Sequence, residues 1–345
     1  MSDFVPLRYG ILGAANIARQ FTRGMAGSAF GTVVAVASRG AEKAAAFAKE
    51  LGIPRSLASY EALLADPEVE AIYIPLPNDM HAEWAIKAMA AGKHVLCEKP
   101  LCLTGAEARA IYDAGRKYGV RMCEAYPYMS QPQTLRLREL LADGTLGRVQ
   151  LINSSFGFSI ATPDGVPTGD PKNIRLDPAR GGGALLDAGT YAMSFARIAA
   201  GERPTRAFAA QRTTTTGVDQ TIAATLEFPS GAVAQINCSL SISGVREAMV
   251  VGEKAVVQTS YSNHAPAGFL PLRVKRGIPG NIPFDMEHLP GGDGFRAEGE
   301  SFARLVRTGA GWNGCSEAES VDTVLALEAI AKSAKSGGWV EIDRG

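Results

Sequence analysis

Short apolar runs alternate with amphipathic stretches over the first 125 residues. Positions 8–12 run into a glycine turn, and a helix is expected over 16–25. Positions 33–37 (Val-Val-Ala-Val-Ala) carry no polar alternate, as a strand buried on both faces requires. An Ala-rich helix follows at 41–51, stopped by Gly52. The order repeats with a strand at 71–74, a helix at 80–91 capped by Gly92, and a strand at 94–97. A helix opened by Thr104 reaches Tyr118, and 121–124 closes the series. Strand–helix–strand alternation with short links specifies parallel strands and right-handed crossovers, hence a doubly wound parallel sheet in a domain spanning 1–125.

Beyond about position 145 the periodicity changes. Runs at 149–155, 207–212, 221–228 and 232–240 are β-like and joined by turn residues such as Pro229-Ser230-Gly231, which suits a largely antiparallel sheet. A helix at 185–200 interrupts them, with Gly201 as its stop, and the Gly- and Pro-rich stretch 266–294 reads as a long excursion. Helices near 299–308 and 318–335 finish an α+β domain spanning 126–345.

Composition narrows the classes of function. Lys plus Arg equals Asp plus Glu at 35 each, and no polybasic run appears, so nucleic acid is not an expected partner. No uninterrupted apolar stretch reaches the roughly 20 residues of a membrane helix. The first residues, Met-Ser-Asp-Phe-Val-Pro, carry neither the cationic nor the apolar region of a signal peptide. Cys97, Cys102, Cys123, Cys238 and Cys315 are an odd, scattered set without metal-like spacing. A cytoplasmic protein with reduced thiols and no bound metal is expected.

The turn after the first strand reads Gly10-Ile-Leu-Gly13-Ala14-Ala15-Asn16-Ile17-Ala18. Tiny residues between a strand and a helix let backbone N–H groups approach a pyrophosphate at the positive end of the helix. Against the usual G-x-G-x-x-G/A fingerprint the loop offers Gly13, Ala15 and Ala18, so a methyl stands where the middle glycine is usual. A site for NAD usually ends its second strand in Asp or Glu, about 20 residues after the loop, to bind the ribose hydroxyls. Here the strand ends Ala37-Ser38-Arg39, with Lys43 one helical turn on. A hydroxyl, a guanidinium and an ammonium suit a 2′-phosphate, which a carboxylate would repel, so NADP is the expected cofactor.

Two further stretches carry chemistry. The run 97–100 (Cys-Glu-Lys-Pro) places Glu98 and Lys99 at the carboxyl end of a parallel strand, where ligands of open α/β sheets bind. At 181–191 three glycines lead into an otherwise apolar helix in which Asp187 and Tyr191 stand at i and i+4 on one face. Such a pair is either a satisfied buried pair or part of a site.

Taken in order, GxxGAAxIA, SR, PLPNxxH, EKP, EAY and GGGALLDxGxY resemble the glucose–fructose oxidoreductase/inositol dehydrogenase (Gfo/Idh/MocA) family. The resemblance is strongest to the branch holding NADP-dependent D-xylose 1-dehydrogenases, dimeric dihydrodiol dehydrogenases and 1,5-anhydrofructose reductases. It covers nearly the whole chain. It implies an N-terminal Rossmann domain followed by an α+β domain with a large, mostly antiparallel open sheet that commonly forms dimer contacts. It also implies hydride transfer between nicotinamide C4 and a carbinol or carbonyl carbon of a sugar or sugar-like polyol.

Lys99, Asp187 and Tyr191 match the family's catalytic positions, and Leu76, Pro77, Asn78 and His81 would flank the cofactor. For His81, packing at a helix start is an equal alternative. Tyr126 and Arg175 would meet the substrate with Asp187 and Tyr191. A free tyrosine holds its proton to about pH 10, and a lysine ammonium beside one favours the phenolate. Asp187 would oppose that effect, which leaves the proton acceptor among the three open; the roles expected are Tyr191 as acid/base, Lys99 as electrostatic partner and Asp187 as substrate-positioning group. The chain departs from the branch at Met129 and Gln131, where Arg and His are usual, and this withholds a named sugar. Two other readings stand beside the enzyme: an NADP-binding sugar sensor without turnover, and a sugar–sugar oxidoreductase that keeps NADP bound. A homodimer or higher homo-oligomer is expected from the family alone.

Overall fold

The computed structural model describes residues 4–170, 172–263 and 268–343. They divide into two compact units. The first takes the chain as far as Cys102, then Ala106–Ser130 and Gly292–Glu317; the second takes Leu103–Gly105, Gln131–Gly291 and the chain from Ala318.

In the first unit run β1 (Leu7–Leu12), α1 (Asn16–Met25), β2 (Gly31–Ala37), α2 (Ala41–Leu51), β3 (Arg55–Leu57), α3 (Tyr60–Ala65), β4 (Ala71–Ile74), α4 (His81–Ala90), β5 (His94–Glu98), α5 (Gly105–Tyr118) and β6 (Met122–Ala125). The six strands form one sheet in the order β3-β2-β1-β4-β5-β6, all parallel. Every residue of β4 is inaccessible to solvent, as the unbroken apolar pattern requires. The chain moves outward from β1 to β3 and then returns to β4 on the other side. The carboxyl ends of β1 and β4 therefore flank the switch point where such sheets bind ligands.

This unit is not the contiguous span 1–125, nor the second the span 126–345. The helix over Gly294–Thr308 joins the first because Phe295, Phe302 and Ala303 share its core with Tyr9, Phe21 and Met25. Burying each phenylalanine is worth about 1.5–3 kcal/mol. Asp293 caps this helix, accepting from Phe295 N (2.9 Å), and Arg296 Nε donates to Gly24 O (2.8 Å), which docks it on α1.

The same helix buries Glu298 completely, and neither of its carboxyl oxygens makes a well-formed hydrogen bond among the described residues. Burial first, then the neighbouring Glu98 carboxylate, push its pKa well above the usual carboxyl range, only partly offset by the Tyr126 amide; Glu124 adds to the push. Below pH of roughly 4.3 both folded and unfolded chains hold this proton. As pH rises the unfolded chain releases it and the folded chain does not, so this group lowers stability progressively until the folded carboxyl ionises. Glu298→Gln removes that slope. The melting temperature of the variant, relative to wild type, is expected to climb from pH 5 to pH 8; a constant offset would refute the assignment.

The second unit holds α6 (Pro132–Ala142), β7 (Val149–Ser159), α7 (Thr190–Ala200), β8 (Arg206–Thr213), β9 (Asp219–Glu227), β10 (Val233–Ser239), β11 (Ser241–Gly252), β12 (Ala255–Thr259), β13 (Phe269–Arg276) and β14 (Asp285–Pro290). After α8, the Gly294–Thr308 helix already described, α9 (Glu317–Ser336) and β15 (Val340–Glu341) complete the chain. One nine-stranded sheet runs β14-β13-β12-β11-β7-β10-β9-β8-β15, antiparallel except where β10 lies parallel to β7. α7 is buried along nearly its whole length and packs on β7, β10 and β11. The stretch 266–294 is thus no mere excursion, since it supplies β13 and β14; its start, at Pro266, lies outside the described residues. Among the described residues no helix is long and apolar enough to cross a membrane.

Candidate active site

At the end of β1 the backbone does what a phosphate cradle needs. Gly13 adopts φ +125° and donates its N–H to Ala37 O (2.9 Å), and a Cβ there would lie 2.9 Å from Leu76 Cδ2. Only glycine fits. Ala15 sits at φ −97°, ψ 162°, an extended conformation open to any residue, so its methyl demands no special freedom. No side chain caps α1, and its first turn holds no acidic residue. Uncapped N–H groups at a helix start without a repelling charge suit a pyrophosphate. Ala14, Ala15 and Ile17 are half-buried beside the loop, and Asn16 is exposed, accepting from Arg19 Nη1 (3.0 Å).

Ser38 is buried at the end of β2, while Arg39 and Lys43 are exposed. The Arg39 charge acts on the Tyr60 hydroxyl, and Tyr60 packs edge-on against Trp84 at 4.8 Å. Burial raises the Tyr60 pKa, opposed by the Arg39 charge, so Tyr60 remains a neutral phenol. Tyr60 belongs to this corner and carried no signal in the sequence, because α3 is only six residues long and follows a three-residue strand.

His81 is fully buried, with Nδ1 2.9 Å from Pro100 O and Nε2 2.8 Å from Leu76 O. The ring thus ties the 75–78 loop, with half-buried Pro77 and Asn78, to the loop after β5. Burial is the largest influence on this imidazole and lowers its pKa, against the two carbonyls, which raise it. The neutral ring can donate to only one carbonyl at a time. His81→Ala is expected to loosen both loops and weaken nucleotide binding about tenfold, an amount typical of one lost buried contact. Unchanged nucleotide affinity by fluorescence titration would show that the loops hold without it.

Glu98 is buried, its carboxylate accepting from the Tyr73 hydroxyl and from Lys99 N (3.2 Å). Lys99 stands half-exposed at the end of β5, and the peptide joining it to Pro100 is cis. Tyr126 is fully buried and packs edge-on against Tyr128 at 6.0 Å.

The glycine run of the second unit has a steric reason. Gly181 and Gly183 take φ +69° and +116°, and a Cβ on Gly183 would come within 2.1 Å of Asp219 Oδ1. The Asp219 carboxylate needs that space, because its Oδ2 accepts from Leu185 N (2.6 Å) at the start of a π-helical turn, Leu185–Gly189, that leads into α7. Burial raises the Asp219 pKa, and backbone N–H groups of Leu185 and Ala184 pull it back. Single π turns occur frequently at functional sites. Asp187 lies in this one and accepts from Arg175 Nε (2.6 Å), so two residues singled out in the sequence meet. Asp187 is also the main cause that raises the Arg175 pKa.

Tyr191 follows on α7, 5% exposed, its ring edge-on to Phe156 at 5.3 Å. Arg246 lies 4.2 Å above the same ring, and Asn263 Nδ2 donates to its hydroxyl (3.4 Å). Arg246, Asn263 and Asp219 escaped the sequence reading, since only the tertiary fold brings them to Tyr191 and to the turn before it. Met129 and Gln131, the departures from the branch pattern, are both buried.

Residues 7–126 match the oxidoreductase family with an NAD-binding Rossmann fold, and residues 134–258 match the GFO/IDH/MocA C-terminal domain. The chain belongs to the GFO/IDH/MocA oxidoreductase family. Among relatives, it is 37% identical over 339 residues to D-xylose 1-dehydrogenase (NADP(+)) 2 of Haloferax volcanii, covering 98% of this chain and all of that protein. The aldose–aldose oxidoreductase of Caulobacter crescentus, solved with glycerol, superposes with TM-score 0.85 at 28% identity, over 98% of this chain and 100% of that one. A 3-ketoreductase of Actinomadura kijaniata, in complex with NADP and TDP-benzene, gives 0.83 at 26%, over 95% and 98%. The parallel Rossmann sheet followed by a mostly antiparallel one is the family's architecture.

Proposed function

We propose that this chain is an NADP-dependent dehydrogenase or reductase that moves hydride between nicotinamide C4 and a carbinol or carbonyl carbon of a sugar or sugar-like polyol. The observation that carries the choice of cofactor is the end of β2: Ser38 and Arg39 follow the strand where a site for NAD usually has Asp or Glu, and Lys43 stands in the first turn of α2. Gly13, Ala14, Ala15, Asn16 and Ile17 would hold the pyrophosphate, with Leu76, Pro77 and Asn78 beside it. Bound there, the dinucleotide supplies the hydride acceptor in one direction and the donor in the other.

The remaining chemistry is proton handling. Tyr191 takes the substrate hydroxyl proton at Oη in oxidation and returns it in reduction. Asp187, held by Arg175, orients the reacting hydroxyl. Lys99, which matches the family's catalytic lysine position, is assigned the electrostatic role in that transfer. Relatives whose names specify xylose or aldoses support a sugar as substrate.

An NADPH-absorbance screen over aldoses, ketoses, anhydro sugars and cyclic diols tests the reading in both directions. Flat traces with NADP(H) still bound would make the chain a sensor instead. Arg39→Ala is expected to raise the KM for NADP about 10- to 100-fold, the worth of charge-assisted bonds to a phosphate, while NAD kinetics stay put. An equal loss with both nucleotides would remove the 2′-phosphate from the reading. Likeness to the aldose–aldose oxidoreductase favours one variant, in which NADP stays bound while hydride shuttles between two sugars. Protein that emerges from gel filtration without nucleotide would exclude that variant.

A second copy of the chain is the partner we infer. Leu151, Phe208, Phe269 and Met286 are 38–52% exposed at alternate positions on the sheet face away from α7. Light scattering that gives the monomer mass would refute it.

A further inference from the structure

Strand pairing sets Arg246 of β11 opposite Phe156 of β7. From there its guanidinium carbon lies 4.2 Å from the Tyr191 ring centre, 4.6 Å from Phe156 and 5.2 Å from Tyr261. Its Nη2 donates to Asn263 Oδ1 (3.0 Å), and the amide nitrogen of the same Asn263 donates to the Tyr191 oxygen (3.4 Å). The bond to Arg246 fixes which end of the Asn263 amide faces the phenol.

The segment carrying Asn263 is held in an unfavourable conformation. Tyr261 has φ +31°, rare for a residue with a side chain, a strain of about 1–3 kcal/mol that persists only where the surroundings impose it. They do so from three sides. Tyr261 Oη donates to Ser155 O (2.9 Å); the Gln133 carbonyl, in the amide orientation that satisfies its neighbours, accepts from Tyr261 N (3.0 Å) and Ser262 N (2.5 Å); and Gln131 Nε2 donates to Asn263 O (2.7 Å). Gln131 is also where this chain departs from its branch. The departure therefore has a local use: an amide at the start of α6 pins the backbone of the residue that touches the phenol.

We propose that Arg246 and Asn263 are positioning residues for the reaction, aiming the Tyr191 oxygen for proton transfer, with Gln131 and Gln133 holding the strained segment that presents Asn263. The amide N–H occupies one lone pair of the phenol oxygen, and the cation over the ring restricts the ring's swing. Misaimed proton transfer lowers kcat without changing how the nucleotide binds. The proposal rests on the reading that Tyr191 exchanges the proton.

The test is a double-mutant cycle. Asn263→Ala lowers kcat roughly tenfold in the wild-type background, with NADP affinity unchanged. Asn263→Asp keeps the bond to Arg246 and cannot donate to Tyr191, so it lowers kcat similarly while the melting temperature holds. Arg246→Lys keeps the charge but loses the planar fork, and restores only part of the rate lost in Arg246→Ala. In the Tyr191→Phe background, which lacks the oxygen, neither Asn263 substitution has a further effect on the slow residual turnover. Equal factors in both backgrounds would mean a merely structural role and overturn the proposal. If Tyr191→Phe alone turns over at the wild-type rate, the acid/base reading fails, and the proposal falls with it.

Discussion

Lys99→Met is expected to lower kcat by about 10²- to 10⁴-fold while leaving the NADP dissociation constant within about threefold of wild type. Methionine keeps the apolar stem of lysine and removes the ammonium, with its charge and its N–H donors. The local backbone is anchored independently of the ammonium. Lys99 N donates to Glu98 Oε2 at 3.2 Å, the other Glu98 oxygen accepts from Tyr73, and the Tyr73 ring stacks on Phe21 at 4.0 Å. The backbone at this position is thus held by groups other than the ammonium, and the phosphate cradle at Gly13 lies at the end of another strand. An effect confined to kcat would assign Lys99 to the chemical step. Turnover at the wild-type rate would sink that role, and a loss confined to nucleotide affinity would move Lys99 into the cofactor cradle. Steady-state rates with a fluorescence titration of NADPH separate the three outcomes.

What the sequence made legible follows from how locally each feature is encoded. The helices over 16–25 and 41–51 and the strand over 71–74 fall where periodicity and glycine stops place them, because short neighbours in sequence make them. β3, with three residues, and α3, with six, are too short for a period to show. β13 was hidden by composition, since Pro271 reads as a breaker. β12 ends at Thr259 opposite Leu272, so Pro271 has no β12 neighbour to donate to, while Leu270, Leu272 and Val274 alternate inward. The contiguous domain boundary failed because Phe295 and Phe302 carry no mark of which core they enter. Among the candidate functional residues, Gly13, Lys99, Asp187 and Tyr191 sit in short motifs and could be singled out. Arg246 reaches Tyr191 only through pairing across β7 and β11, Asn263 only from the segment after β12, and a π turn leaves no periodic trace. Ala15, which looked like a defect in the fingerprint, carries no backbone strain, because the positive φ falls on Gly13 instead.

Gly183→Ala should be the most damaging small substitution in the second unit, costing about 2–4 kcal/mol and lowering kcat at least tenfold. Its φ of +116° disfavours any side chain, and the new methyl would sit 2.1 Å from Asp219 Oδ1. Either the carboxylate moves and Leu185 N loses its 2.6 Å bond, or the turn carrying Asp187 shifts. The first outcome strands a partly buried carboxylate whose pKa burial already raises; the second moves Asp187 away from Arg175. Stability and rate should therefore fall together. Gly201→Ala separates the backbone contribution from the steric one. It has φ +73° at the end of α7 with open space around it, so only the left-handed backbone cost of about 1–2 kcal/mol applies and kcat should stay unchanged. Urea unfolding of both variants beside their steady-state kinetics reads out the difference. Equal destabilisation with kcat intact in both would mean that Asp219 tolerates the methyl, and the glycine run would then be a matter of turn geometry alone, with no part in holding the turn that presents Asp187 and Tyr191.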